Sequence, residues 1–174
     1  LRVLVLDDGT PWVAAVAGEL TVEGVPFTTV HLDQPDHQPV TDAFLADADH
    51  ANFQAVVAPS ADTALLTSAE WQSIRTFEAT FSIREVDTYN WPSAAVGLNF
   101  PSYLGSMDAM VGTATAVARQ SGFQYLAGPV PYGVGSYGYL AAPLTAGSVP
   151  ALAPGATFTT FLGITTPDGT AASA

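Results

Sequence analysis

The sequence predicts an α/β fold: a parallel sheet with helices on both faces, followed by a β-rich C-terminal section. Three observations lead there. Through roughly the first hundred residues, short β-branched and leucine runs alternate with apolar stripes at helical spacing. Gly, Pro or a capping residue marks each switch between the two patterns. After about Pro92 helical periodicity fades, and glycine, proline and aromatic residues become dense.

Arg2-Val3-Leu4-Val5-Leu6 is a continuous apolar run of the kind expected for a strand covered on both faces. Asp7-Asp8-Gly9-Thr10-Pro11 breaks it, with Thr10 placed to cap a helix and Pro11 to open it. Val13, Val16, Ala17 and Leu20 then follow at helical spacing, and Gly24 ends the helix. Phe27 to Leu32 reads as the second strand. A polar loop containing Pro35 and Pro39 leads to a short helix from about Thr41, and Phe53 to Ala58 is the third strand. Thr67-Ser68-Ala69-Glu70 is a capping box, in which threonine accepts from the third helical N–H and glutamate reaches back. Trp71, Ile74 and Phe77 give the buried stripe of a helix ending near Thr80, and Phe81 to Val86 is the fourth strand. Strand–helix–strand alternation with right-handed crossovers is flavodoxin-like in outline.

The alternation assigns residues 1–105 to an α/β sheet domain. Residues 106–174 form a β-rich insertion or strands appended to the same domain. Within them Met110 to Ala118, Tyr137 to Leu144 and Thr157 to Thr166 read as strands, and Thr166-Pro167-Asp168-Gly169 as a hairpin-type turn. The abrupt start at a strand and the small-residue tail read as a fragment of a longer protein.

Composition excludes several function classes. Of 174 residues, 48% are apolar and 11% charged, which is unlike a charge-rich disordered chain. Sixteen acidic residues face four basic ones, all arginine, and the formal net charge is −12. Four scattered cations cannot displace counterions from a phosphate backbone, so no nucleic-acid partner is expected. Without lysine there is no Schiff base and no P-loop lysine; without cysteine there is no thiol nucleophile, disulfide or zinc–thiolate site. No apolar run is long enough to span a bilayer. Few basic residues, many Ala, Thr, Gly and Pro, and strong negative charge suit a soluble exported protein.

Asp7 and Asp8 sit where the first strand ends and a helix begins, the usual ligand edge of a parallel sheet. Metal-dependent chemistry there would need histidines at helical spacing. His31, His37 and His50 form no such pair. His31, Asp33, Asp36 and His37 match no standard metal spacing and read as a solvated loop. Gly133-Val134-Gly135-Ser136-Tyr137-Gly138 matches the dinucleotide glycine pattern, but neither flank offers the required strand and helix, so it reads as a turn. No Gly-x-Ser-x-Gly elbow occurs. The remaining clue is aromatic. Asp87, Tyr89, Asn90 and Trp91 follow the fourth strand, at the same sheet edge as Asp7, Asp8 and Trp12. Rings offer flat faces to the C–H faces of sugars, and carboxylates and amides take hydroxyls. The ligand-binding set read from the sequence is therefore Asp7, Asp8, Trp12, Asp87, Tyr89, Asn90 and Trp91, with no catalytic residue, no metal and no cofactor.

Phe81-Ser82-Ile83-Arg84-Glu85-Val86-Asp87-Thr88-Tyr89, Gly128-Pro129-Val130-Pro131-Tyr132, and Gly135-Ser136-Tyr137-Gly138-Tyr139-Leu140 resemble the N-terminal region of secreted exopolysaccharide deacetylases of the galactosaminogalactan deacetylase type. The resemblance implies a glutamine-amidotransferase-like or flavodoxin-like scaffold, kept here without the nucleophilic cysteine. It also implies an extracellular or cell-surface setting, an amino-sugar polymer as partner, and catalysis in a downstream domain of the same chain. Two alternatives stand beside this carbohydrate-binding reading: a metal-dependent deacetylase or hydrolase using Asp7 and Asp8, and a purely structural accessory domain.

Overall fold

The structure is a computed structural model. It describes residues 1–152 and 155–165 and, as backbone, 171–173. Contacts divide the chain into two compact units, Leu1–Asn90 and Trp91–Ala174. The domain boundary expected at 105/106 falls inside a strand of the second unit, Tyr103–Ser106, whereas the change of texture expected after about Pro92 lies close to the division between the units.

The first unit runs β1 (Val3–Asp7), α1 (Pro11–Val22), β2 (Phe27–His31), α2 (Asp42–Leu45), β3 (Ala46–Asp47), β4 (His50–Ala51), β5 (Ala55–Ala58), α3 (Ser68–Phe81) and β6 (Arg84–Asp87). β2, β1, β5 and β6 lie side by side in that order, all parallel. β3 and β4 make a small antiparallel ribbon. The order β2-β1-β5-β6 is the order in which 2-1-3-4-5 doubly wound sheets begin.

The apolar run of β1 explains why the sheet is covered twice. Successive side chains point to opposite faces. Leu4 and Leu6 pack with Val30, Leu45, Ile74 and Phe77 on the side of α2 and α3. Val3 and Val5 pack with Val13, Val16 and Leu20 of α1 on the other. Each fully buried leucine or valine contributes roughly 1.5–3 kcal/mol.

Local chemistry moved several predicted boundaries. α3 runs to Phe81, and Ser82 at φ 55° ends it in the left-handed region, so the fourth parallel strand starts at Arg84 rather than Phe81. Phe53 precedes β5 rather than joining it; its buried ring lies 5.4 Å from that of Phe44. Thr10 occupies the N-cap position of α1, yet its hydroxyl donates to Asp8 Oδ1 at 2.6 Å and makes no cap bond.

The second unit contains a 3-10 turn (Ala94–Val96), β7 (Tyr103–Ser106), β8 (Val111–Ala114), α4 (Ala116–Gln120), β9 (Val130–Pro131), β10 (Tyr137–Leu140), β11 (Leu162–Thr165) and β12 (Ala171–Ser173). β12-β11-β8-β9 form one antiparallel sheet and β10-β7 another. Met107, Met110, Leu140 and Ile164 make its core. The strand expected over 110–118 stops at Ala114, because the Thr115 hydroxyl accepts from Ala118 N–H and opens α4. The dinucleotide-like glycine pattern leads into β10, a strand and not a helix. A Cβ at Gly138 would lie 2.6 Å from Met107 Sδ, so this glycine admits a core methionine. The predicted turn Thr166–Gly169 lies outside the described residues.

Candidate functional site

Parallel strands end on one edge. Asp7, His31 and Asp87 are the last residues of β1, β2 and β6. Register pairs Asp7 with His31, and His31 Nδ1 lies 3.1 Å from Asp7 Oδ2. Asp7 Oδ1 accepts from Gly9 N–H at 2.9 Å, so this carboxylate also shapes the following turn. Asp8 Oδ1 accepts from Thr10 N–H at 3.0 Å and from its hydroxyl. Gly9 holds φ at +78°, with Asp33 Oδ2 3.5 Å from where a Cβ would stand. Thus His31 and Asp33 join Asp7 and Asp8 at this edge. Reading them as part of a solvated loop missed the juxtaposition, whose signal was the parallel pairing of β1 with β2. His37 turns elsewhere, with Nε2 3.2 Å from Glu70 Oε1. Among the described residues no group of three or more His, Asp or Glu side chains is arranged to hold a metal ion.

Trp12 stands in the first turn of α1, and Tyr89 just past the end of β6. Their rings lie 6.5 Å apart at 19° between planes. They are 56% and 42% exposed, a large aromatic area left facing solvent. The backbone behind Tyr89 is fixed: Thr88 N–H donates to Ala58 O at 2.9 Å, and Tyr89 N–H to Pro59 O at 3.0 Å. Asn90 is committed to the same task. Its Nδ2 donates to Asp87 Oδ2 at 2.7 Å, and its Oδ1 accepts from Ala61 N–H at 3.1 Å. Asp87 and Asn90 therefore brace the strand end that carries Tyr89.

Trp91 begins the second unit. Its ring lies 4.6 Å from that of Tyr139 and 6.0 Å from that of Phe100. With Ser93, Asn99, Phe100 and Pro150 it lines a groove of about 450 Å³. In the first unit a second groove, of about 710 Å³, follows α3 past Trp71, Gln72, Arg75 and Thr76. The Arg75 guanidinium sits 5.6 Å from the Trp71 ring centre. One helix face supplies that lining, away from the strand ends.

Beneath the braced strand end lies a group the sequence analysis did not single out. Glu85 and Asp87 stand two apart on β6 and share a face, next to Glu78 of α3. Glu78 Oε1, Glu85 Oε2 and Asp87 Oδ1 are buried without a hydrogen-bond partner. Burial pushes the Glu85 carboxyl up to about 8, and the negative charges of Asp87 and Glu78 push the same way. Burial also raises Glu78, with Asp87 adding and Arg75 opposing. Glutamate and aspartate in alternation along a strand were the available signal, and they are its half-buried residues while Arg84 and Val86 are exposed.

The chain is similar to a carbohydrate deacetylase of known structure. The crystal structure of Agd3, described as a novel carbohydrate deacetylase, matches 99% of this chain with a TM-score of 0.71 and 16% sequence identity. This chain spans 26% of the Agd3 chain. At that identity the likeness establishes the fold. No protein-family model and no curated protein sequence matches. No helix among the described residues is long and apolar enough to cross a membrane.

Proposed function

We propose that this chain is a non-catalytic carbohydrate-binding domain of an extracellular or cell-surface polysaccharide-modifying enzyme, of the amino-sugar exopolysaccharide deacetylase type. The observation that carries the reading is the pair Trp12 and Tyr89: two exposed, nearly parallel rings at the ligand edge of a parallel sheet. Such rings take the apolar faces of pyranoses, while Asp7, Asp8, Asp33 and His31 beside them offer partners for hydroxyl and amino groups. An acidic chain suits a polymer carrying free amines, since the formal charge of −12 draws cations towards it. The fold likeness to a carbohydrate deacetylase far longer than this chain supports a domain that serves chemistry located elsewhere in a parent protein. The doubly wound strand order and the missing cysteine support an amidotransferase-like scaffold without its nucleophile.

Calorimetry and polymer pull-down with partly deacetylated amino-sugar polymers test the reading. Trp12→Ala should weaken binding by about tenfold, the loss of one stacking contact of about 1.4 kcal/mol, while leaving the unfolding midpoint nearly unchanged. Absence of binding to any such polymer refutes it. The meeting of His31 with Asp7 keeps the metal-dependent reading testable. Stoichiometric metal uptake with acetate release, both lost in Asp7→Asn and Asp8→Asn, would replace the binding reading by that one.

A further inference from the structure

We propose that Glu78, Glu85 and Asp87 form a proton-held clasp that fastens the end of β6, and with it Tyr89, when one proton is shared among them and loosens it when that proton is lost. The proposal rests on the carbohydrate-binding reading only for the use made of Tyr89; the clasp itself stands on the geometry. An ionised carboxylate accepts hydrogen bonds and donates none. With all three ionised, the buried oxygens of Glu78, Glu85 and Asp87 face one another with no donor among them. Leaving buried charged acceptors unmatched is costly. One added proton supplies an O–H that can be given to a neighbouring carboxylate, a short and strong type of bond.

The surroundings offer little else. α3 contributes Glu78 and the single cation Arg75, and β6 contributes Glu85 and Asp87. The adjoining strand β5 reads Ala-Val-Val-Ala and brings no charge. Burial and the two carboxylate neighbours hold Glu85 protonated up to about pH 8. The connection to the site runs through Asp87. Its other oxygen holds Asn90, Asn90 holds the backbone of Ala61, and Thr88 and Tyr89 are tied to Ala58 and Pro59 beside it. A clasp that opens at Glu85 therefore frees the segment on which Tyr89 stands against Trp12.

Native-state hydrogen exchange of the whole chain, without glycan, reads this directly at the Thr88 and Tyr89 amides. If opening releases one proton, the opening constant, corrected for intrinsic exchange, should rise about tenfold per pH unit between about pH 5.5 and 7.5. Glu85→Gln, which keeps the shape and supplies a permanent donor, should abolish that rise; Glu78→Gln should reduce it. Leu4 to Leu6 amides of the central strand serve as the reference for global opening. A flat profile in the native chain overturns the proposal, as does a rise that persists in Glu85→Gln. Glycan binding measured separately at pH 5.5, where the clasp is closed, tests the carbohydrate reading alone. Failure there with a normal exchange profile removes the ligand and leaves the clasp.

Discussion

Glu70 gathers partners that are distant in sequence. Its carboxylate accepts from the Val40 N–H at 3.1 Å and from the Thr67 N–H and hydroxyl at 2.9 and 2.8 Å, with His37 Nε2 at 3.2 Å. Burial raises its pKa, but these donors outweigh burial and the net shift is downward. A carboxyl lowered on folding gives stability that is present above its unfolded pKa and lost as pH falls through the folded one. Glu70→Ala should cost on the order of 2–3 kcal/mol in urea unfolding, because the buried Val40 N–H is left without an acceptor. The capping box made the Thr67 half of this cluster legible. The Val40 and His37 half was not, since no local rule links a loop residue to a helix start about thirty residues on.

At the scale of elements, four threonines stand before helices and look alike in sequence. Thr41, Thr67 and Thr115 accept from the third helical N–H, whereas Thr10 does not. The Asp8 carboxylate explains the exception, since it takes the Thr10 hydroxyl and N–H for the turn at the sheet edge. Circular dichroism and urea titration should separate the two classes. Thr67→Ala is expected to cost about 1–2 kcal/mol, because the hydroxyl that accepts from the Glu70 N–H and donates to the Glu70 carboxylate is lost, while the backbone N–H of residue 67 keeps its bond to Glu70. Thr10→Ala should cost less, its effect confined to the Asp8 turn. The strands were legible where both sides of an alternation were apolar, as in β1. They were less so in the second unit, where strands of four residues or fewer sit among glycines and prolines and Thr115 redirects the chain into a helix.

For the molecule as a whole, the same carboxylates set a pH optimum. Glu85 and Glu78 have pKa values raised on folding, so their contribution is full below the unfolded value and is lost as pH rises, towards about 8 for Glu85. Glu70 works in the opposite direction below that value. Together with self-repulsion from a formal charge of −12, this places maximal stability at mildly acidic pH, at about 4.5–5.5. A thermal melting series from pH 3.5 to about 9 should show Tm falling on both sides of that window. Glu85→Gln should flatten the alkaline side and leave the acid side in place. An unfolding midpoint that climbs steadily from pH 5 to 8 in the native chain would contradict the whole assignment.

The sequence by itself determined the parallel sheet of the first unit, the helices over both its faces, and the sheet edge at which Asp7 and Asp87 end their strands. Each of these follows from local periodicity and from the fixed hand of the crossover. It also determined the chemistry that cannot occur, because lysine and cysteine are absent. Only the tertiary structure decided which carboxylates meet. His31 reaches Asp7 through strand register, Asn90 becomes a brace instead of a free amide, Trp91 packs on Tyr139, and Glu78 comes to lie beside Glu85. Such meetings depend on the alignment of whole elements to within an ångström or two, and charge interactions are governed by that spacing and by burial, neither of which is written in the order of the residues.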